Sequence, residues 1–420
     1  MLSTATQLKG HRGEVCCVYA PGDDRLVSGG ADGSVRIWDL AAGRTSRALM
    51  LPAADNAGSV NAVCAGSSVA ENWVYCAAAN HVYGWDLRAP GVILKEPACA
   101  FNNLARDEIG HIALHEASGA LAVADDAGDL QIVDVGSMAA DTGQTSGAIV
   151  PMRGGHTSIC TWVAFRPGRS ECCTAGLDAL CVRWDWRMAA KIEAWPLTSL
   201  DSPLATALAS MSSNAAGSSS GAEEASADKP VQFLNPRHAH CVSFAPNGGC
   251  VALALGDGSV EIRLADTGEP ICAVDAHRAA CSQAHFAPAL SPALALRAAA
   301  EDDAGDGETS GATLAARGVP LVSAGDDRHV RLWSVEGVMG RAAGSDGKRR
   351  RGGDTAGGSA IVDVTEEEEE EEDEPGFRSL AAVRLKHKAN GVATAADPAG
   401  SGRAVVCVAT TDDAIVLLNL

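Results

Sequence analysis

Nine residues have the types of a nucleophilic triad: His11, Ser28 and Asp32; His156, Thr174 and Asp178; His277, Ser323 and Asp327. A hydroxyl beside an imidazole that a carboxylate orients is the arrangement of acyl-transfer enzymes. The spacing argues against that chemistry. In each set the hydroxyl lies four residues before the aspartate, and a tryptophan (Trp38, Trp184 or Trp333) lies six after it. A nucleophile has no use for the indole, and an active site has no use for three copies of itself. All twelve residues are therefore read as structural, and no catalytic residue is assigned. The sequence offers no glycine-rich phosphate loop and no cysteine or histidine pairs at metal-ligand spacing. No cofactor and no metal are expected, and the chain is not read as an enzyme.

A second pattern with chemical content, Trp-Asp-x-Arg, occurs twice. The copies are Trp85-Asp86-Leu87-Arg88 and Trp184-Asp185-Trp186-Arg187. A planar guanidinium held on a firm turn can form paired hydrogen bonds to a carboxylate on a protein partner. It can equally bridge to the aspartate beside it, and both outcomes stay open on the sequence.

The elements that carry these residues repeat. Residues 10–39 run from Gly10-His11 through an apolar stretch to Ser28-Gly29-Gly30-Ala31-Asp32 and Val35-Arg36-Ile37-Trp38-Asp39. Residues 155–185 follow with Gly155-His156, Thr174-Ala175-Gly176-Leu177-Asp178 and Val182-Arg183-Trp184-Asp185. Residues 276–334 give Ala276-His277, Ser323-Ala324-Gly325-Asp326-Asp327 and Val330-Arg331-Leu332-Trp333. In its Gly-His and Trp-Asp signatures the chain resembles the WD-repeat family. The resemblance implies a β-propeller in which the histidine, hydroxyl, aspartate and tryptophan of a blade form one buried hydrogen-bonded chain. Degenerate repeats fill the gaps, and one of them carries Arg263 where the tryptophan belongs.

The reading is therefore an all-β chain: a single seven-bladed WD-repeat β-propeller with blades near 10–50, 58–96, 104–150, 155–200, 232–274, 276–336 and 378–420. The last blade shows only three strands. An open sheet edge invites pairing with other chains, so residues 2–8, which have no blade of their own, are expected to supply its outer strand and close the ring. Three stretches do not fit the repeat: 201–231, 289–318 and 337–377. Their composition predicts disorder, because little apolar area is there to offset the entropy of ordering. Within the third, Ala360-Ile361-Val362-Asp363-Val364 is β-prone and is a candidate fourth strand for blade six.

Composition narrows the partners. The 420-residue chain has a net charge of −20, which argues against direct nucleic-acid binding. Glu366 to Glu374 is an unbroken acidic run, read as a solvated segment or a contact for a basic protein. Lys348-Arg349-Arg350-Arg351 is either a nuclear-import signal or a charged linker. The start of the chain lacks the charge and apolar pattern of a secretory signal, and no apolar run approaches the roughly 20 residues of a membrane span. The fourteen cysteines, spread along strand-like segments without a Cys-x-x-Cys pair, read as small buried hydrophobes in a reducing compartment. A monomeric protein of the cytoplasm, the nucleus or both is expected.

Some WD-repeat proteins with Trp-Asp-x-Arg are substrate receptors of cullin-4 ubiquitin ligases and dock on the damaged-DNA-binding-protein-1 adaptor. The resemblance implies such docking here through Trp184, Asp185 and Arg187, and secondarily through Trp85, Asp86 and Arg88. The opposite face would then hold a protein substrate. The alternative is a general scaffold, or a reader of histone-type peptides, with no link to a ligase.

Overall fold

The computed structural model describes residues 3–22, 24–52, 58–66, 72–136, 149–197, 236–294, 318–337, 376–396 and 404–419. Their strands form seven sheets, the blades of a β-propeller, with the four strands of each blade antiparallel. From the axis outward, blade 1 is Val15–Tyr19, Arg25–Gly30, Ser34–Asp39 and Arg44–Met50. Blade 2 is Ala62–Ala65, Trp73–Ala78, His81–Asp86 and Cys99–Phe101. Blade 3 is Ile109–His115, Ala120–Asp125, Leu130–Asp134 and Ile149–Met152. Blade 4 is Cys160–Phe165, Glu171–Gly176, Leu180–Asp185 and Ala190–Pro196. Blade 5 is Ala239–Phe244, Cys250–Leu255, Ser259–Leu264 and Pro270–Asp275. Blade 6 is Cys281–Phe286, Val319–Gly325, His329–Glu336 and Gly376–Arg384. Blade 7 is Ala389–Ala396, Ala404–Thr410 and Ala414–Asn419, with Ser3–Lys9 outermost.

The second strand of a blade is packed on both faces, and its sequence is accordingly a continuous run of small and apolar residues. All six residues of Cys250–Leu255 are buried, as are all six of Ala120–Asp125. Outer strands such as Ala190–Pro196 show one mostly solvated surface. The tight turn from second to third strand needs a left-handed residue, which Gly33 supplies in blade 1 (φ 68°) and Ala179 in blade 4 (φ 59°). The apolar side chains fall into seven clusters, each lying between two neighbouring blades. The core is thus a ring of layers and has no single centre.

Two irregularities recur and aim side chains. In six blades the inner strand bulges at its second residue, just before Cys17, His111, Trp162, Cys241, Gln283 and Gly391. The pairing of third and fourth strands is also irregular directly before Trp38, Trp184, Arg263 and Trp333. A bulge kinks and twists a strand locally, so the same device at the same place sets the same side-chain direction in each blade.

Ser3–Lys9 pairs antiparallel with Ala414–Asn419, so the start of the chain closes blade 7 as the sequence implies. Other boundaries differ from the sequence reading. The fourth strand of blade 6 is Gly376–Arg384, where Phe377 meets the Trp333 ring edge-on at 6.0 Å. The 360–364 segment lies outside the described residues and is not needed as a strand; blade 7 correspondingly begins at Ala389 and not at 378. Blade 2 reaches past residue 96 to Cys99–Phe101, and the connection before it adds Ile93–Leu94 in parallel to the outer strand of blade 1. The segment expected to be disordered from 289 starts with a helical turn, Pro288–Leu290. Leu290 and Ala293 are buried between blades 6 and 7, apolar area that composition alone does not reveal. Residues 201–231, 295–317 and 338–375 lie outside the described residues.

Removing residues 1–8 should leave the edge of Ala414–Asn419 unpaired and take away Leu8, which is 1% exposed. The truncated chain is expected to melt earlier and to aggregate. Leu8→Ala alone should cost about 2–4 kcal/mol. An unchanged melting curve with a monomeric elution profile for the truncation would refute closure by this strand.

Candidate functional site

The three histidine sets are hydrogen-bonded chains. In blade 1 the Trp38 indole N–H donates to Ser28 Oγ (2.8 Å), Ser28 Oγ lies 2.8 Å from His11 Nε2, and His11 Nδ1 lies 3.0 Å from Asp32 Oδ1. Blade 4 repeats this with Trp184, Thr174, His156 and Asp178 at 2.9, 2.8 and 3.0 Å. Blade 6 does so with Trp333, Ser323, His277 and Asp327 at 2.9, 2.9 and 3.0 Å. Because the hydroxyl oxygen already accepts from the indole, its own hydrogen is directed to Nε2. Nδ1–H is then left to donate to the carboxylate. A Cβ at Gly30, Gly176 or Gly325 would run into the histidine ring of its blade, so the position two before each aspartate is closed to side chains.

Burial and hydrogen bonding compete in these chains. Burial raises the Asp32 carboxyl, but hydrogen bonds from His11, the Arg12 amide and Ser34 outweigh it and hold the group below the usual carboxylate range. Asp327 is lowered by the same balance, with the Arg278 amide first among its donors. For His156 and His277 burial dominates, and both imidazoles are pushed below the ordinary histidine value.

Blade 5 meets the same packing problem with charges that the sequence reading did not connect. Asp257 keeps the aspartate position, Leu253 replaces the hydroxyl and Arg263 the tryptophan. Arg237 Nε lies 2.9 Å from Asp257, Arg237 Nη2 donates to Glu261 Oε2 at 2.6 Å, and Arg263 Nε donates to Glu261 Oε1 at 2.6 Å. The legible signal was Glu261 and Arg263, two apart on one strand face. In blade 2, which has no such chain, the buried Trp85 indole N–H has no hydrogen-bond partner among the described residues.

The Trp-Asp-x-Arg turns lie at the far end of the third strand from the histidines, and the two copies differ. Arg88 folds back on Asp86: Nε donates to both carboxylate oxygens (2.9 and 3.0 Å) and Nη2 to one (2.7 Å). That closed pair lowers the Asp86 carboxyl and raises the Arg88 guanidinium. In blade 4 the Asp185 carboxylate accepts the amides of Arg187 and Met188, each at 3.0 Å. The Arg187 guanidinium lies 5.1 Å over the Trp186 ring and has no salt bridge among the described residues. Trp186 is buried, edge-on to Phe165 at 5.6 Å and 5.3 Å from His115. Beside it Met188 is 75% exposed. The variable residue of the motif, Leu87 against Trp186, thus decides whether the arginine has an aromatic seat.

A further site, missed on the sequence, is the axial channel. The inner strands of all seven blades enclose a cavity of about 490 Å³. His111 stacks on Trp162 at 3.6 Å and 19°, and His285 lies 5.4 Å from the same indole. Burial pushes His111 down to about 3 and His285 to about 4, so both are neutral. Among the described residues no Asp, Glu, Lys or Arg lines this cavity. These residues are scattered singly over inner strands, so no motif announces them.

Asp178→Ala removes the acceptor of His156 Nδ1 and of the Thr157 and Leu180 amides, and is expected to cost about 1–3 kcal/mol. Asp126→Ala, outside any such chain, should cost clearly less; equal losses in denaturant melts would refute the assignment. The lowered imidazoles, His111, His115, His156, His240, His277 and His285, also set a pH dependence. Above about pH 6.5 they are neutral folded and unfolded and contribute nothing. As pH falls below that, the unfolded chain takes up protons that the folded chain refuses. Stability should therefore drop between pH 7 and 5, by up to about 1.4 kcal/mol per group and pH unit. The Asp32 and Asp327 contributions are lost only at lower pH. A flat stability profile from pH 7 to 5 would contradict this.

Comparison with known proteins agrees with the geometry. The family described as "WD domain, G-beta repeat" matches residues 2–39. The chain is 30% identical over 187 residues to the WD repeat-containing protein 53 homolog of Dictyostelium discoideum. That alignment covers 43% of this chain and 46% of the relative, so the chain matches about half the relative's length. Among solved structures, the crystal structure of the WD40 beta propeller domain of Doa1 superposes with a TM-score of 0.60 at 12% identity. The superposition covers 99% of this chain and 96% of that one, and it speaks for the fold alone. With a match to the WD repeat at its start and seven blades closed by its first strand, the chain is a seven-bladed β-propeller similar to WD-repeat proteins.

Proposed function

We propose that this propeller is a protein-interaction platform that serves as a substrate receptor on a cullin-4 ubiquitin ligase, docking on the damaged-DNA-binding-protein-1 adaptor through Arg187. WD40 propellers are protein-binding scaffolds, and the ligase link is the finer part of this reading. The observation that carries it is the state of Arg187. Its fork of donors is committed to no carboxylate among the described residues, it rests on a buried indole, and an exposed methionine stands beside it. The last residue but one of the strand beneath it is Trp184, which the chain through Thr174 and His156 to Asp178 fixes in place. A rigidly presented, unspent guanidinium is what a docking contact requires. Trp184 and Asp185 act as supports in this reading, the first as an anchor in the core and the second as the cap of the turn. Trp85, Asp86 and Arg88 form a weaker contact, because Arg88 must give up its own aspartate before it can accept another. Such a role places the protein in the cytoplasm, the nucleus or both, with the histidine end of the ring left for the captured protein.

Truncating an interfacial arginine paired with a carboxylate costs about 2–5 kcal/mol, since the partner charge is left unpaired. Arg187→Ala is therefore expected to weaken adaptor binding by at least about tenfold while the melting curve stays in place. Arg88→Ala should weaken it less, and Arg187→Lys should not restore it, because an ammonium lacks the paired geometry. Calorimetric titration with purified adaptor measures all three. Failure of the wild-type chain to bind the adaptor would leave only the general scaffold.

A further inference from the structure

We propose that the docking surface of Arg187 includes His115 of the neighbouring blade, and that His115 takes up a proton when a carboxylate of the partner arrives, so that docking tightens as pH falls. The proposal rests on the adaptor reading above and names the chemistry of the contact: an acidic side chain with an apolar one beside it. Three observations support it.

The first is placement. His115 ends the inner strand of blade 3, and Trp186 opens the arginine turn of blade 4. The imidazole lies 5.3 Å from the indole and the Arg187 guanidinium 5.1 Å over it, so the two flank one ring. Charges that close, with an apolar ring between them, are only partly screened. Ser118 Oγ holds His115 Nδ1 at 2.7 Å and fixes the ring, while Nε2 has no hydrogen bond among the described residues. The four-residue arginine pattern does not contain this histidine, which comes from another blade.

The second is the balance of charge around that ring. Phe165, edge-on at 5.2 Å, and Trp186 are uncharged walls. Glu116 follows His115 on its own strand end, and Asp185 and Arg187 stand on the blade 4 turn, where Asp185 accepts two backbone amides. Burial first, and then the Arg187 charge, hold the imidazole below the ordinary histidine value. A carboxylate docked on Arg187 offsets that positive charge and brings a negative one, and both effects favour imidazolium. Drying of the ring on docking pulls the other way. His115 is already half-buried, so the reversed charge outweighs what drying remains. The complex then binds more protons than the free chain, and linkage requires affinity to rise as pH falls.

The third is the apolar flank. Met188, 75% exposed, stands in the turn itself. Ile149 opens the outer strand of blade 3 opposite Val133, and Ile192 lies near the start of the outer strand of blade 4; both are exposed. Apolar side chains are thus left uncovered around the one arginine turn whose guanidinium is not spent on its own aspartate. A partner surface that presents a carboxylate beside an apolar side chain matches this arrangement. The apolar contact would exclude water from the ion pair and strengthen it.

The test is calorimetric titration of the full chain with purified adaptor near pH 6 and near pH 8, in buffers of different ionisation enthalpy so that proton uptake is counted. Wild type should bind at least about threefold tighter near pH 6, with net uptake of protons. His115→Gln should bind like wild type near pH 8 but lose both the tightening and the uptake. Met188→Ser should bind about tenfold more weakly at both pH values, since it removes apolar contact and no charge. A second measurement needs no adaptor: in the free chain, the NMR titration midpoint of His115 should rise in Arg187→Ala while the melting curve stays in place. Equal pH slopes for wild type and His115→Gln overturn the proposal. So does a His115 midpoint that ignores Arg187→Ala, or a Met188→Ser chain that binds as wild type does. Adaptor binding with a flat pH profile overturns this proposal and leaves the receptor reading standing, whereas no binding at either pH removes both.

Discussion

The pairing of Ser3–Lys9 with Ala414–Asn419 joins the two ends of the chain in one sheet, and the whole propeller depends on it. Each blade buries its faces only against its two neighbours, and the core is correspondingly divided into seven separate layers. Such a ring has no central core to fall back on. Opening it at one place exposes two apolar blade faces and an unpaired strand edge together, the condition that favours aggregation. Closing a loop of nearly the full chain length carries an entropy cost that grows only slowly with length. One strand of well-paired residues, with Leu8 buried at its end, is enough to offset it.

Around the axis the blades are also held by polar contacts that cross from one inner strand to the next. Asn61 Nδ2 donates to the Ile109 carbonyl, Thr161 Oγ1 to that of Ala239, Gln283 Nε2 to that of Asn390, and Asn390 Nδ2 to that of Val15. Thr161 and Asn390 are the residues the inner-strand bulges leave out of the ladder, and Gln283 follows the bulge of its own strand. The irregularity thus turns two residues toward the neighbouring blade and, by shifting the register, aims His111 and Trp162 at the channel. Packing and site come from one backbone device. The radial chains from tryptophan to aspartate act at right angles to this ring, fixing the third strand to the loop that precedes its own blade. Each is satisfied along its length, and a buried polar chain of that kind specifies position as well as stability.

The two ends of the ring consequently differ in chemistry. The histidine end carries carboxylates and opens on an uncharged aromatic channel, while the other end carries the arginine turns. Arg88 and Arg187 show how little the motif itself decides. Arg88 beside Leu87 closes on Asp86. Arg187 beside Trp186 lies on the indole, while Oδ1 of Asp185 accepts two backbone amides. An arginine neutralised by its own turn and one left with open donors are different surfaces to a partner, although the four-residue pattern is the same.

Repetition at fixed offsets made the fold and the three hydrogen-bonded chains legible in the sequence. Four side chains that meet in three of the blades recur at spacings set by strand length and turn, and closure follows because a three-stranded last blade leaves an edge. What the sequence alone did not determine lies wherever a residue acts on something far from it in the chain. The outer strand of blade 6, the charged relay of Arg237, Glu261 and Arg263, and the helical turn at Pro288–Leu290 have no repeat to mark them. Each is decided by the shape of the gap it fills. The channel is the extreme case, since His111, Trp162 and His285 come from three blades and meet only because the ring closes. Periodicity reports what every blade needs for itself; only the closed ring decides what the blades present together.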